Sequence, residues 1–175
     1  MKLIEQLRTF WHERRRAVDA EWRRSLSFAD YVVDRWDKAR VLGWGEGSSC
    51  YDNVLILGEV NVGVQTWVGP NVVLDGSGGG LSIGDHCAIS VGAQLYTHNA
   101  VERTLSGGVA PLEKAPTVLG NRCYVGPNVV VAAGITIGDG CVIGAGSVVL
   151  SDLPPNSKAV GAPARIIGTT VRNDN

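Results

Sequence analysis

The sequence predicts an all-β solenoid, and two observations carry that reading. Leu119, Val125, Val131, Ile137, Ile143 and Val149 fall on a strict six-residue period, and Gly120, Gly126, Gly138 and Gly144 directly follow four of them. Neither the helical nor the strand period matches this spacing. A chain that runs briefly extended, turns a corner and repeats the move winds coils that stack on one another. Each hexad then supplies one inward aliphatic pillar and one tight corner.

The same phase continues upstream through Ile56, Val62, Val68 and Leu74, then Ile83, Ile89 and Leu95, and one step further back it reaches Cys50. The step from Leu74 to Ile83 is three residues too long, and Gly76-Ser77-Gly78-Gly79-Gly80 is the flexible stretch able to bulge. At three hexads per turn, about fourteen hexads make about five coils. Four residues after successive pillars stand small or medium side chains: Val60, Thr66, Val72, Gly78, Cys87, Ala93, Cys123, Val129, Ile135, Cys141 and Ser147. A narrow prism core needs them. Three of the four cysteines take this position and Cys50 takes a pillar position, so the thiols read as core packing. Their spacing shows no CxxC pair for zinc or redox chemistry.

Ahead of the solenoid, Leu3, Ile4, Leu7, Phe10, Trp11, Val18 and Trp22 recur at helical spacing, with Arg14, Arg15, Arg16, Arg23 and Arg24 among and after them. Ser27 and Asp30 look like a capping-box start, and Phe28, Tyr31, Val32, Trp36 and Ala39 form a second helical face ending at Gly43. A basic helix of this kind can lie on a membrane surface. Glu5, Glu13, Asp19 and Glu21 dilute the basic face, so a helical arm packed on the solenoid or on a neighbouring subunit is expected instead. The expected organisation is a helical segment 1–44, a solenoid 45–154 with an inserted loop 99–117, and a tail 155–175.

Composition narrows the function classes. With 16 basic and 17 acidic residues there is no electrostatic basis for binding nucleic acid. No apolar run approaches the roughly 20 residues of a membrane span. The N-terminus lacks a hydrophobic core followed by a cleavage site, so a cytoplasmic location with reduced thiols is expected.

The hexad phase breaks once more, between Leu95 and Leu119. Tyr96-Thr97-His98-Asn99 leads into residues 100–116, which carry Ser106-Gly107-Gly108, two prolines and several charges. A segment that leaves a rigid scaffold and returns in phase is where binding and catalytic groups concentrate. His98, at its mouth, is the candidate catalytic residue. An imidazole with an ordinary pKa near 6.5 is suited to take a proton from an attacking hydroxyl or amine.

The run Ile137-Gly138-Asp139-Gly140-Cys141-Val142-Ile143-Gly144-Ala145-Gly146-Ser147-Val148-Val149, with Pro154-Pro155 and Gly161-Ala162-Pro163-Ala164-Arg165-Ile166-Ile167, resembles the C-terminal half of the hexapeptide-repeat acetyltransferases. The maltose, galactoside and nodulation acetyltransferases and the acyltransferases of surface-polysaccharide pathways are the nearest groups. The resemblance covers about residues 50 to 168, and Thr97-His98 matches the motif that carries the catalytic histidine. It implies a left-handed parallel β-helix, against the usual right-handed crossover. It also implies a homotrimer with active sites between subunits, and acetyl-CoA as donor to a sugar or polysaccharide-precursor hydroxyl by direct transfer. By family position, Pro127, Ala145, Leu150, Ser151 and Arg165 match cofactor-binding residues, and Asp75 matches an acidic substrate-binding position. Lys158 joins the cofactor set on charge alone. The chain departs from the pattern at Ser151, where a lysine is common, and at Gly168, where some members carry another arginine.

Three other readings are weighed. The same base would serve an amine on a nucleotide-linked sugar, but only helices precede the solenoid, which favours the hydroxyl. A γ-type carbonic anhydrase needs converging histidine ligands. His86 and His98 share a hexad position two hexads apart, and so face different sides, while His12 lies on the first helix; no metal is expected. A catalytically silent scaffold would have no reason to keep the looped-out histidine and the coenzyme-A-like tail.

Overall fold

A computed structural model describes residues 2–171 and shows a three-faced parallel β-helix behind three N-terminal helices. Partners in successive coils lie three hexads apart: Cys50 stacks on Val68 and Val125 on Ile143 on the first face, Val131 on Val149 on the second, and Leu119 on Ile137 on the third. The pillar residues are the core. Leu74, Ile89, Leu95, Val125, Val131 and Ile143 are fully buried, and each contributes about 1.5–3 kcal/mol of hydrophobic stabilisation. The residues four positions on, including all the cysteines placed there, are buried beside them, except Val60, which is half-buried.

Two details of the corners were not visible in the hexad spacing. At many corners the third residue after the pillar adopts the left-handed conformation: Gln65, Asn71, His86, Arg122, Asn128 and Asn156 have φ of 53° to 61°, whereas Ser77 and His98 do not share it. His86 is therefore a corner residue. The glycine directly after the pillar answers to a different constraint, the close stacking of coils. A Cβ on Gly120 would stand 2.7 Å from the Asp139 backbone nitrogen, and one on Gly126 would stand 2.7 Å from that of Ala145.

Six parallel rungs line the first face, one coil more than the hexad count. Lys158 and Ala159 stack in parallel on Val142 and Ile143, so the winding continues past residue 154 into the segment expected as tail. The antiparallel strand Arg165–Thr169 then covers this last rung. The expected three-residue bulge is present: Gly58 pairs with Gly76 but Val60 pairs with Leu81. Residues 172–175, the end of the expected tail, lie outside the described residues.

The N-terminal segment forms α1 (Lys2–Trp22), α2 (Phe28–Val32) and α3 (Arg35–Val41). The single second helix expected from the spacing is split, because Asp34 Oδ1 accepts from the backbone N–H groups of Trp36 and Asp37 at 2.9 and 3.0 Å and starts a new helix. Ser27 makes no backbone cap; its hydroxyl donates to Asp30 Oδ2 at 2.6 Å. The Asp52 N–H donates to Asp30 Oδ1, and Lys38 Nζ donates to the Tyr51 and Asp52 carbonyls, fastening α2 and α3 to the first coil. Nothing on α1 is buried; Arg14 Nε donates to the Tyr31 carbonyl at 3.3 Å and links it to α2. No described helix is long and apolar enough to cross a membrane.

Coil-to-coil polar contacts also tie the edges. Asp139 Oδ1 accepts the Asn121 N–H at 2.8 Å, and this bond, helped by the Asn121 side chain, lowers its carboxyl pKa. A carboxylate depressed in the folded state stabilises above its unfolded pKa of about 3.9 and loses that contribution as pH falls through the folded value. Asp139→Ala is expected to melt below wild type at pH 7, with the gap closing under acid; parallel melting curves across pH 2.5–7 check this.

Candidate active site

The site grows from one edge of the prism, where the second face turns into the third. Leu74 and Leu95 are stacked pillars of the second face, so the corners that follow them, Asp75-Gly76-Ser77 and Tyr96-Thr97-His98, lie one above the other. This stacking brings His98 Nδ1 to 2.8 Å from Asp75 Oδ2. The carboxylate is 1% exposed and the imidazole 31%. Ser77 holds the other oxygen, donating to Asp75 Oδ1 from its N–H at 2.9 Å and from its hydroxyl at 2.6 Å, and Ser77 Oγ stands 3.3 Å from His98 Nδ1. Oδ2 has no well-aligned donor, so the approach of Nδ1 is a close charge contact shared with the serine hydroxyl rather than a straight hydrogen bond. With its proton on Nδ1, facing two oxygens, the ring presents a free lone pair at Nε2.

Thr97 locks the two corners together. Its hydroxyl donates to the Asp75 carbonyl at 2.7 Å and accepts the Gly78 N–H at 2.8 Å. The inserted loop begins as a short antiparallel pair, His98–Asn99 with Glu113–Lys114, and carries the exposed helix α4 (Val101–Leu105). On the next coil along the same edge come Ala132, Ala133 and Gly134, then Leu150 and Ser151, since Tyr96 N–H donates to the Val131 carbonyl and Ala132 N–H to that of Val149. His98 thus opens onto a track of small residues.

The proposed cofactor residues do not share one surface of the chain. Leu150 and Ser151 lie on the His98 edge, whereas Pro127 and Ala145 stack on the preceding edge, where Gly146 N–H donates to the Pro127 carbonyl at 2.8 Å. Lys158 is exposed on the last rung, and Arg165 lies on the strand covering it, with Nη1 on the Ala164 carbonyl at 3.0 Å. Asp75 was expected to meet the acceptor. Its carboxylate is instead buried and turned to His98. Thr97 was named from sequence only as the neighbour of His98 in its motif, and Ser77 was given no role, although hexad phase puts Ser77 and His98 at the same corner position in adjacent coils.

A hollow of about 420 Å³ lies between the N-terminal helices rather than here. The histidines do not converge: His86 sits at a corner after the third face and His12 on α1.

The cysteines are all buried and free. Burial pushes the Cys50 thiol up to about 11. Cys123 is pushed up by its side-chain contact with Cys87 and by burial, and Cys87, its partner in the column, is drawn down to about 7. That value does not make Cys87 a nucleophile here, for its sulfur is packed in the core and donates to the Gly120 carbonyl at 3.1 Å. Cys87→Ala and Cys141→Ala are expected to keep wild-type turnover per folded enzyme and to lose about 1 kcal/mol of stability each, as read by denaturant melts beside activity.

Residues 116–151 match the bacterial transferase hexapeptide family, six repeats. The coils of this stretch thus resemble those of the hexapeptide-repeat transferases. Along its length this hexapeptide-repeat protein is 26% identical to a hexapeptide-repeat containing acetyltransferase of Vibrio cholerae, covering 95% of this chain and 94% of that one with a TM-score of 0.63. The fold is thus consistent with the left-handed β-helix of the family. The protein is also 40% identical over 88 residues to galactoside O-acetyltransferase of Escherichia coli, covering 50% of this chain and 43% of that one. It is 35% identical over 118 residues to a putative colanic acid biosynthesis acetyltransferase of Escherichia coli, covering 66% and 62%. The chain therefore spans less than two thirds of the length of these curated relatives.

Proposed function

We propose that this hexapeptide-repeat protein is an acetyl-CoA-dependent acetyltransferase that acylates a hydroxyl of a sugar or surface-polysaccharide precursor. The observation that carries the proposal is the half-exposed imidazole of His98, held on a buried carboxylate at the mouth of the inserted loop. Relatives named as acetyltransferases of a galactoside and of colanic acid biosynthesis support the class.

In this reading Nε2 of His98 takes the acceptor hydroxyl proton as its oxygen bonds to the thioester carbon. The tetrahedral oxyanion collapses, the C–S bond breaks, and the imidazolium returns its proton to the departing thiolate. Backbone N–H groups at the corner are suited to stabilise the oxyanion. Asp75 and Ser77 orient the ring. Direct transfer fits a site whose cysteines are all packed in the core.

The donor's pantetheine arm would run along the Ala132, Ala133 and Leu150 edge, with Ser151 beside it. Pro127 and Ala145 sit on another edge, so a single coenzyme A touching all four requires two chains. The division supports a homotrimer with each site between neighbours, Lys158 and Arg165 serving the nucleotide phosphates. The test is release of free thiol from acetyl-CoA across a panel of sugars, with product mass recorded. Acceptor-dependent release with an O-acetylated product is expected; thiol release matched by an acetylated protein, or no release with any hydroxyl or amine acceptor, overturns it.

A further inference from the structure

We infer that the acceptor site has an anion-reading subsite at Lys114, so that the preferred acceptor is a sugar bearing a negatively charged group. This rests on the His98 site proposed above and names its substrate class. His98 and Lys114 are direct partners in the antiparallel pair that opens the inserted loop. Opposed residues of such a pair project from the same face, with Cβ atoms about 4.5–5.5 Å apart, and their chain neighbours project from the other. The next partners bear this out: Asn99 and Glu113 meet through the Asn99 amide and the Glu113 carboxylate. The acid of the hairpin is thereby engaged on the opposite face from His98, and the lysine stands on the same face.

Lys114 is exposed and forms no ion pair among the described residues. The other carboxylates of this edge are also engaged, Asp75 with Ser77 and His98, and Glu59 with the Asn61 amide at 3.2 Å. A flexible ammonium beside the reacting base, with no internal anion to satisfy it, fits an anion brought by the substrate. Its backbone is set by the hairpin, and the following residue is anchored where Ala115 N–H donates to the Thr97 carbonyl at 2.9 Å.

The chemistry asked for is a monosaccharide or glycan unit carrying a carboxylate or a phosphate close to the acetylated hydroxyl. Galactose, galacturonate and galactose 1-phosphate separate the possibilities, with binding measured by calorimetry at low salt and turnover by thiol release. Wild type is expected to bind at least one charged sugar about 10- to 100-fold more tightly than galactose, the usual scale for a charge-assisted contact. Lys114→Gln lowers that preference at least tenfold and Lys114→Arg keeps most of it, with KM for acetyl-CoA following neither change. Which charged sugar is preferred tells carboxylate from phosphate. Indifference to charge in wild type, absence of binding included, overturns the subsite, as does a preference that survives Lys114→Gln. Charge-dependent binding without thiol release would support the subsite while defeating the transferase reading; thiol release indifferent to charge does the reverse.

Discussion

His98→Ala is expected to lower kcat by about 10²- to 10⁴-fold, the scale for losing a general base, while the coils stay wound. The ring is partly exposed and contributes no pillar to the core, so its loss removes chemistry and little packing. Circular dichroism and melting temperature should match wild type. A variant that folds and keeps half of wild-type turnover would remove His98 from the reaction.

Gly78→Ala should damage fold and chemistry together. A Cβ at this buried position would collide with the Thr97 carbonyl oxygen and stand 2.8 Å from His98 Cβ. Both neighbours belong to the corner that holds the imidazole over Asp75, and the Thr97 carbonyl is backbone that can yield only by parting the coils. The expected cost is about 1–3 kcal/mol for an overpacked site, with about a 100-fold loss of kcat/KM, since small displacements of a reacting group are costly. Melting temperature and thiol-release kinetics on the same sample check both parts. Gly80→Ala makes a useful contrast: no atom lies within 4 Å of its Cβ, but φ is 96°, so strain without collision should cost stability and leave His98 in place.

The solenoid was legible because its repeat is covalent in origin: every six residues the same pillar and corner must recur for coils to stack. Both interruptions were readable as slips of phase, and the three-residue slip reappears as the shift between the Gly58 and Val60 pairings. The last coil was missed where the period fails. Leu153, a buried pillar on the third face bridged to Ile137, follows Val149 too soon, and the next pillar is the small Ala159. The split between α2 and α3 was hidden because apolar spacing continues across it; only the Asp34 cap marks the break.

The site was half legible. His98 stands out at the mouth of an insertion, but the partner of an imidazole depends on which coil lies beneath it, and Asp75 read alone is an acid at a turn. Placed in phase, Asp75 is the first residue after Leu74 and His98 the third after Leu95, both on one edge. The distribution of Pro127 and Ala145 against Leu150 and Ser151 over two edges also follows from phase.

The central claim is that Asp75 acts through His98, and a double-mutant cycle on kcat/KM tests it most directly. Asp75→Ala in the wild-type background should cost at least tenfold, because an unoriented ring is a poorer base. In the His98→Ala background the same change should cost nothing more, apart from any loss of folded protein, which the melting curves report. Equal losses in both backgrounds would contradict the account and show that Asp75 and His98 contribute separately.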